Sequence, residues 1–241
     1  MINVAVCDDN LVHLNYLERI ISELLDDLSI THEMSPFSSG NDFLEYHKRC
    51  AFDVVFLDIK MPNPDGFEVA KQIRRVSDKT YIIFITTECG LVYDSFDFRP
   101  FYFIPKSNPE VLKIKLRRVI EKLTEHMDEN RPVCLELPYN EKKYIDPARI
   151  LYISSKSNYL DVVTESETIH LRGKIETMLE RLPSKSFVRI HSRHILNLKH
   201  LCRIDNTRLK VLLDNFSELE VSRAYKAELV ERNNIFLRDF S

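Results

Sequence analysis

The chain has 241 residues, 44% hydrophobic and 29% charged, which suits one large domain or two ordinary domains with apolar cores. Its longest apolar run, YIIFITT, is too short to span a bilayer, and the N-terminus lacks the pattern of a secretory signal. Its five cysteines form no CxxC pair, which argues against zinc and against a disulfide framework. We therefore expect a cytoplasmic protein that has free thiols and no membrane association.

Charge separates the chain into two unlike halves. Residues 1–126 hold 15 basic and 20 acidic side chains, whereas residues 127–241 hold 19 basic and 17 acidic ones. This asymmetry predicts different partners for the two halves. The small basic surplus of the second half is weak evidence for nucleic-acid binding, so that case depends on where the cations cluster.

The first half alternates short apolar strands with amphipathic helices. The helical stripes fall within residues 14–25, 69–76 and 111–123. Three of the strands are continuously apolar, as expected for strands that are buried on both faces. The predicted strands are Asn3–Cys7, Thr31–Pro36, Val54–Leu57, Tyr81–Ile85 and Phe101–Ile104. This order predicts an α/β fold, a doubly wound (βα)5 parallel sheet of the flavodoxin-like type.

Polar side chains follow the carboxyl ends of these strands, which is where such sheets bind ligands. Asp8 and Asp9 follow the first strand, Asp58 the third, Thr86 the fourth and Lys106 the fifth. A single aspartate at such a place is usually a helix cap or a turn former, but here all of these groups meet at one edge. Three neighbouring carboxylates favour Mg²⁺, and a metal beside a lysine favours docking of a phosphoryl group. Asp58 is the plausible nucleophile.

The segments VAVCDDN, VVFLDIKMPNPDGFEVA, IIFITTE and FYFIPK resemble the receiver domain of two-component response regulators over about residues 1–122. The resemblance implies that Asp8 and Asp9 hold Mg²⁺ and that the backbone carbonyl of Lys60 completes the metal site. It also implies that Asp58 is the phosphoacceptor for a sensor histidine kinase.

The same resemblance implies roles for three more residues. Thr86 would reach the phosphoryl group through its hydroxyl, and Lys106 would pair with that group. Phe103 falls at the position of the family's switch aromatic. Phosphorylation would then favour a homodimer through the face made by the fourth helix, the fifth strand and the fifth helix.

The second half reads as a mainly β domain. The polar segment TEHMDENRP predicts a linker, so we expect a receiver domain at 1–123, a linker at 124–132 and a β domain at 133–241. Short strands with turns follow one another, and the predicted helices are Lys174–Leu182 and a last helix capped by Ser222. No helix-turn-helix pattern is visible.

Three segments of this half resemble the LytTR family of β-type DNA-binding domains: PARILYISSKSNYLDVVT, LRGKIETMLERLPSKSFVRIHSRHILNLKHL and LEVSRAYKAEL. The resemblance implies that loops contact double-stranded promoter DNA. Asn158, Ser192 and Arg223 occupy the contact positions, Arg193 stands beside them where members often have a serine, and Lys156 resembles a phosphate contact. Each segment alone is more often a solvated turn.

Together these patterns predict a response regulator that controls transcription and is not an enzyme. A metal-dependent phosphohydrolase is disfavoured, because Lys60 occupies the position where that class has a second carboxylate. A β domain that binds protein or RNA remains the alternative. Regulators with this output often serve quorum sensing or virulence, which is an expectation from the family resemblance alone.

Overall fold

The computed structural model describes residues 1–239, and the chain divides into two compact units between Thr124 and Glu125. Residues 240 and 241, at the end of the predicted β domain, lie outside the described residues. The segment predicted as a linker is helical as far as Glu129. The domain boundaries themselves stay a prediction.

The N-terminal unit is a five-stranded parallel sheet with the strand order β2-β1-β3-β4-β5. This architecture confirms the predicted doubly wound α/β fold. Its strands are β1 (Ile2–Cys7), β2 (His32–Phe37), β3 (Val54–Leu57), β4 (Tyr81–Thr86) and β5 (Tyr102–Pro105). Its helices are α1 (Leu11–Asp27), α2 (Gly40–His47), α3 (Gly66–Val76), α4 (Val92–Ser95) and α5 (Pro109–Glu129).

Burial explains the apolar sequence of the central strands. All four residues of β3 are buried, as are the last five of β4, because helices cover both faces of the sheet. Side chains of α2 and α3 pack with β1, β3 and β4 in one core cluster that includes Phe43, Val69 and Ile73. Polar groups therefore appear where the strands leave this core, at their carboxyl ends.

The fourth helix departs from the regular pattern. It is a single α-helical turn between two 3₁₀ turns, Cys89–Leu91 and Phe96–Phe98, and it ends where Arg99 adopts a left-handed conformation with φ of 46°. Arg74 on α3 holds this end, since its guanidinium donates to the carbonyls of Phe98 and Arg99 at 2.7 and 3.1 Å. No apolar stripe in the sequence predicted a helix here.

The C-terminal unit is mainly β, as predicted, and contains three antiparallel sheets with the orders β10-β9-β8-β12-β11, β13-β14-β15 and β6-β7. The first strands are β6 (Val133–Glu136), β7 (Lys142–Ile145), β8 (Ile150–Lys156), β9 (Tyr159–Thr164) and β10 (Thr168–Arg172). The later strands are β11 (Phe187–His191), β12 (His194–Asn197), β13 (Leu201–Asp205), β14 (Lys210–Leu213) and β15 (Glu218–Glu220).

Two helices complete this unit, α6 (Ile175–Arg181) and α7 (Lys226–Asp239). The start of the last helix differs from the prediction. A 3₁₀ turn, Arg223–Tyr225, separates Ser222 from α7, and the Ser222 side chain makes no capping hydrogen bond. Instead its backbone N–H donates to the carbonyl of Ile190 at 2.9 Å, which ties this turn to β11.

A buried amide joins the largest sheet to the loop before it. Asn197 at the end of β12 is fully buried, and its Nδ2 donates to the carbonyls of Pro147 and Ile150 at 3.1 and 2.7 Å. Its Oδ1 accepts from the Lys199 N–H at 3.1 Å. These bonds satisfy polar groups that would otherwise be costly to bury.

Candidate functional sites

The predicted acidic cluster forms at the carboxyl edge of the parallel sheet. One carboxylate oxygen from each of Asp8, Asp9 and Asp58 lies within 4.8 Å of the others. Asp8 and Asp58 are buried, whereas Asp9 is exposed. Within the described residues this is the single cluster of three or more acidic, histidine or cysteine side chains with metal-binding spacing.

A lysine bridges two of these carboxylates. Lys106 Nζ donates to Asp8 Oδ2 at 2.8 Å and to Asp58 Oδ2 at 2.7 Å, and the side chain is only 11% exposed. Burial lowers the pKa of Lys106, but its hydrogen bonds to the two carboxylates outweigh that effect and raise it. The ammonium therefore stays charged and offsets part of the repulsion within the cluster.

Backbone hydrogen bonds fix the geometry of the cluster. The Asp58 N–H donates to the carbonyl of Cys7 at 2.9 Å, so the β1–β3 ladder continues to the cluster itself. The Lys60 N–H donates to Asp58 Oδ1 at 3.3 Å, which leaves Asp58 Oδ2 to Lys106. The Lys106 N–H donates to the carbonyl of Thr86 at 2.7 Å, so β4 positions the loop that carries the lysine.

The predicted switch residues lie on β4 and β5. Thr86 is fully buried, and its hydroxyl accepts from the Glu88 N–H at 3.3 Å. Phe103 is partly buried against the core cluster, and its ring centroid lies 6.4 Å from that of Phe84.

The sequence analysis missed two residues beside the acidic cluster, Glu88 and Gly66. Glu88 Oε1 forms an ion pair with Lys60 Nζ at 2.9 Å, and the two side chains are 43% and 72% exposed. Gly66 lies so close to Asp58 that a Cβ on it would be 2.1 Å from the Asp58 carbonyl oxygen. The Gly66 signal is visible in retrospect, because a glycine at the start of a helix that follows a strand indicates close backbone approach.

A thiol also lies beside the cluster without exposure to solvent. Cys7 is buried, and its Sγ is 3.7 Å from Met61 Sδ. Burial, followed by the charges of Asp8 and Asp58, raises the pKa of Cys7 to about 12. The thiol is therefore protonated and acts as a small apolar side chain.

The five predicted DNA contacts are all exposed and lie at turns or strand ends of the C-terminal unit. Lys156 ends β8 and Asn158 follows it in the turn to β9, where the carbonyl of Asn158 accepts from the Gly173 N–H at 3.0 Å. Ser192 and Arg193 form the turn between β11 and β12. Arg223 opens the 3₁₀ turn before α7.

Hydrogen bonds connect these segments. The Ser155 N–H, next to Lys156, donates to the carbonyl of Arg193 at 2.9 Å. The Ser222 N–H, next to Arg223, reaches β11 through Ile190 at 2.9 Å. The structure thus joins the end of β8, the β11–β12 turn and the 3₁₀ turn at one end of the β unit.

One histidine of this region has an altered pKa. Burial, followed by the charges of His191 and Arg193, lowers the pKa of His194, whose Nδ1 is buried without a hydrogen-bond partner. The His191 and His194 ring centroids are 5.3 Å apart.

In the part of the chain that the structure describes, no helix is both long enough and apolar enough to cross a membrane.

The chain is similar to known regulatory proteins along most of its length. The Response regulator receiver domain model matches residues 4–117, and the LytTr DNA-binding domain model matches residues 140–234. Both models describe regulatory modules and not enzymes.

Two curated relatives are similar over nearly the full chain. Sensory transduction protein LytT of Bacillus cereus is 25% identical over 244 residues, covering 95% of this chain and 98% of its own length. Transcriptional regulatory protein YpdB of Escherichia coli is 25% identical over 224 residues, covering 86% and 91%. The crystal structure of the response regulatory domain of mrkE from Klebsiella pneumoniae is 25% identical, covers 52% of this chain and 96% of its own, and superposes with a TM-score of 0.44. The chain belongs to the response regulators that combine a receiver domain with a LytTR DNA-binding domain.

Proposed function

We propose that this response regulator is a phosphorylation-dependent transcription factor of the cytoplasm. In this proposal a sensor histidine kinase phosphorylates Asp58, and the β unit then binds double-stranded promoter DNA. The observation that carries the proposal is the position of Lys106 Nζ, within 2.8 Å of both Asp8 and Asp58 at the carboxyl edge of the sheet.

The chemistry is the transfer of a phosphoryl group from a histidine of the kinase to Asp58. Asp58 Oδ2 attacks the phosphorus of a phosphohistidine, an O–P bond forms and the P–N bond breaks, and its electron pair returns to the imidazole nitrogen. Lys106 stabilises the negative charge on the transferred group, because its ammonium already lies 2.7 Å from that oxygen. Thr86 offers its hydroxyl to a phosphoryl oxygen.

The donor set fits Mg²⁺. Asp8, Asp9 and Asp58 supply carboxylate oxygens within 4.8 Å of one another, and hard oxygen ligands of this kind suit the ion. The carbonyl of Lys60 would be a further ligand. When bound, the cation supplies additional neutralisation of phosphoryl charge. Lys106 remains necessary beside it, because the three carboxylates carry more negative charge than one divalent cation offsets.

Activation requires a conformational response to the new charge. We propose that Thr86 moves towards the phosphoryl group and that Phe103, which is partly buried against the core, repacks inward. The altered surface then favours a homodimer. A difference of only a few kcal/mol between the two states is enough to shift the population substantially.

The phosphoacceptor is tested by incubating the full-length protein with acetyl phosphate and Mg²⁺ and separating the modified form on a phosphate-affinity gel. Asp58→Asn should abolish the modification, while Asp97→Asn, in an exposed position away from the cluster, should retain it. Modification of the Asp58→Asn variant at the wild-type level would contradict the assignment. Asp9→Asn should keep the acceptor but raise the Mg²⁺ concentration that half-maximal modification requires.

The DNA-binding proposal assigns base contacts to Asn158, Ser192, Arg193 and Arg223 and a phosphate contact to Lys156. The probe is the duplex that the wild-type protein selects from a random-sequence library. Arg223→Ala should weaken binding to this duplex by about tenfold, in the range of one lost base contact.

Lys143→Ala is the matched control, because Lys143 already pairs with Glu167 at 2.8 Å on another part of the unit. Its affinity for the selected duplex should equal that of the wild type. Failure of the wild type to select any duplex, or binding without salt dependence, would favour a protein or RNA partner instead.

A further inference from the structure

Arg189 on β11 is not among the predicted site residues, yet its side chain makes three hydrogen bonds. Its side chain is only 18% exposed. Its Nε donates to the carbonyl of His191 at 3.2 Å, and its Nη2 donates to the carbonyl of Ser192 at 2.9 Å and to Glu176 Oε1 at 2.9 Å. The guanidinium thus connects α6 to the β11–β12 turn.

The turn that Arg189 holds is one that needs support. His191 pairs with His194, so Ser192 and Arg193 form a two-residue hairpin loop, and neither residue has a positive φ. Such a loop lacks the type I′ or II′ backbone that matches the twist of the strands. The register also shifts between Arg189 and His191. The bonds from Arg189 to two consecutive carbonyls therefore fix a turn that the local backbone specifies poorly.

Arg189 also contacts the 3₁₀ turn Arg223–Tyr225, which carries the predicted DNA contact Arg223. Its Cζ lies 5.4 Å from the centroid of the Tyr225 ring, and Tyr225 belongs to the same 3₁₀ turn as Arg223. The neighbouring residue Ile190 accepts the Ser222 N–H at 2.9 Å. A planar guanidinium suits this position, because it can donate in its plane while its face lies against an aromatic ring.

We infer that Arg189 is a positioning residue for DNA recognition, which holds Ser192 and Arg193 in a fixed relation to Arg223. The inference rests on the proposed function, since it assigns no contact with DNA to Arg189 itself. Its Nη2 directs both hydrogens to groups of the protein, the carbonyl of Ser192 and Oε1 of Glu176. Misplacement of contact groups by about 1 Å is costly to recognition and to catalysis alike.

Arg189→Lys tests the inference, because lysine keeps the charge but cannot make the same planar set of contacts. We expect affinity for the selected duplex to fall by about tenfold, the size of one misplaced base contact. Affinity for a shuffled duplex, and the slope of log affinity against log salt, should not change, because no phosphate contact is lost. Tyr225→Leu removes the ring but leaves the hydrogen bonds from Arg189 to the β11–β12 turn in place, so it should produce a smaller loss of affinity for the selected duplex.

Arg181→Lys is the matched control in the same unit. Arg181 also pairs with a glutamate, Glu136 at 3.3 Å, but its side chain is 47% exposed. It should bind both duplexes as the wild type does. If Arg189→Lys binds like this control, the inference is wrong. A loss of affinity shared by both duplexes would make Arg189 a direct phosphate contact instead.

A second measurement does not depend on DNA. The Arg193 N–H donates to His191 Nδ1 at 3.1 Å and the Ser222 N–H donates to Ile190, so amide exchange at these positions reports the order of both segments. We expect Arg189→Lys to accelerate exchange at Arg193 by about tenfold or more and to leave the β8–β9 pairing protected. If the wild type selects no duplex, the proposed function fails, yet unchanged exchange at Arg193 would still overturn the positioning role on its own.

Discussion

Replacement of Gly66 by alanine should disturb both the stability of the receiver unit and its chemistry. The added Cβ would lie 2.1 Å from the carbonyl oxygen of Asp58 and 2.7 Å from Cα of Ile59. An ordinary contact between carbon and oxygen is about 3.3 Å or longer, so the two backbones must separate by roughly 1 Å. The Gly66 N–H donates to the carbonyl of Ile59 at 2.9 Å, and this hydrogen bond would weaken as the backbones separate.

The expected change in the free energy of unfolding combines two destabilising effects and one stabilising effect. Overpacking costs about 1–3 kcal/mol and a weakened hydrogen bond about 1 kcal/mol, whereas alanine in place of glycine in a helix returns at most about 1 kcal/mol. We therefore expect Gly66→Ala to lower the free energy of unfolding of the receiver unit by about 2 kcal/mol. Because Asp58 is displaced from Lys106, the yield of modification by acetyl phosphate should fall as well.

Hydrogen exchange at the amides of β3 and β4 measures this loss in the full-length protein, because these strands report the receiver unit alone. Gly90→Ala is the control, since a Cβ at Gly90 has no atom within 4 Å. Its effect should stay within about 0.5 kcal/mol. The reasoning is refuted if Gly66→Ala retains the exchange protection and the phosphorylation yield of Gly90→Ala.

Three further predictions concern buried groups. Asn197→Asp should destabilise the β unit by about 3 kcal/mol, because a carboxylate cannot donate to the two carbonyls that the amide now satisfies. Urea denaturation measures this loss of stability. Asn206→Asp, at an exposed turn, is the control and should change the stability little. Burial lowers the pKa of His47, so the unfolded state binds its proton more readily and receiver stability should decrease as pH falls below about 6.5. His47→Phe should reduce that dependence in amide exchange measured at several pH values, and an unchanged dependence would contradict this role. Cys7, 1% exposed, should react with a thiol reagent only on unfolding, whereas the exposed Cys50 should react in the native state, and equal rates would refute this.

The sequence predicts the receiver fold well because its strands are buried on both faces. All four residues of Val54–Leu57 are buried and apolar. Asp58 therefore stands out in the sequence as the first charged residue after this run. The carboxyl ends of parallel strands share one edge, so the topology alone predicts that Asp8 and Lys106 approach Asp58. The distances of 2.7 and 2.8 Å agree with that prediction.

Other features could not be predicted from local patterns. The short α4 leaves Tyr93 and Phe96 exposed, so no amphipathic period indicates it. The ion pair of Lys60 with Glu88 joins residues that lie 28 positions apart, on loops whose geometry only the fold defines. Arg189 looks like any polar residue of an alternating strand, because its partners come from three separate segments.

Lys106 and Arg189 are two largely buried cations, with side chains 11% and 18% exposed, and they differ in a way that matches their surroundings. Lys106 meets two carboxylates with one ammonium, a compact charge on a flexible stem that would adjust to a phosphoryl group under the proposed function. Arg189 meets two adjacent carbonyls, a carboxylate and a ring, a fixed set of partners that a rigid planar fork satisfies without adjustment. Under the two proposals, the site that would accept a new group has lysine, and the site that would keep one geometry has arginine. Exchange of either residue for the other would preserve the net charge and still remove the property that each location requires.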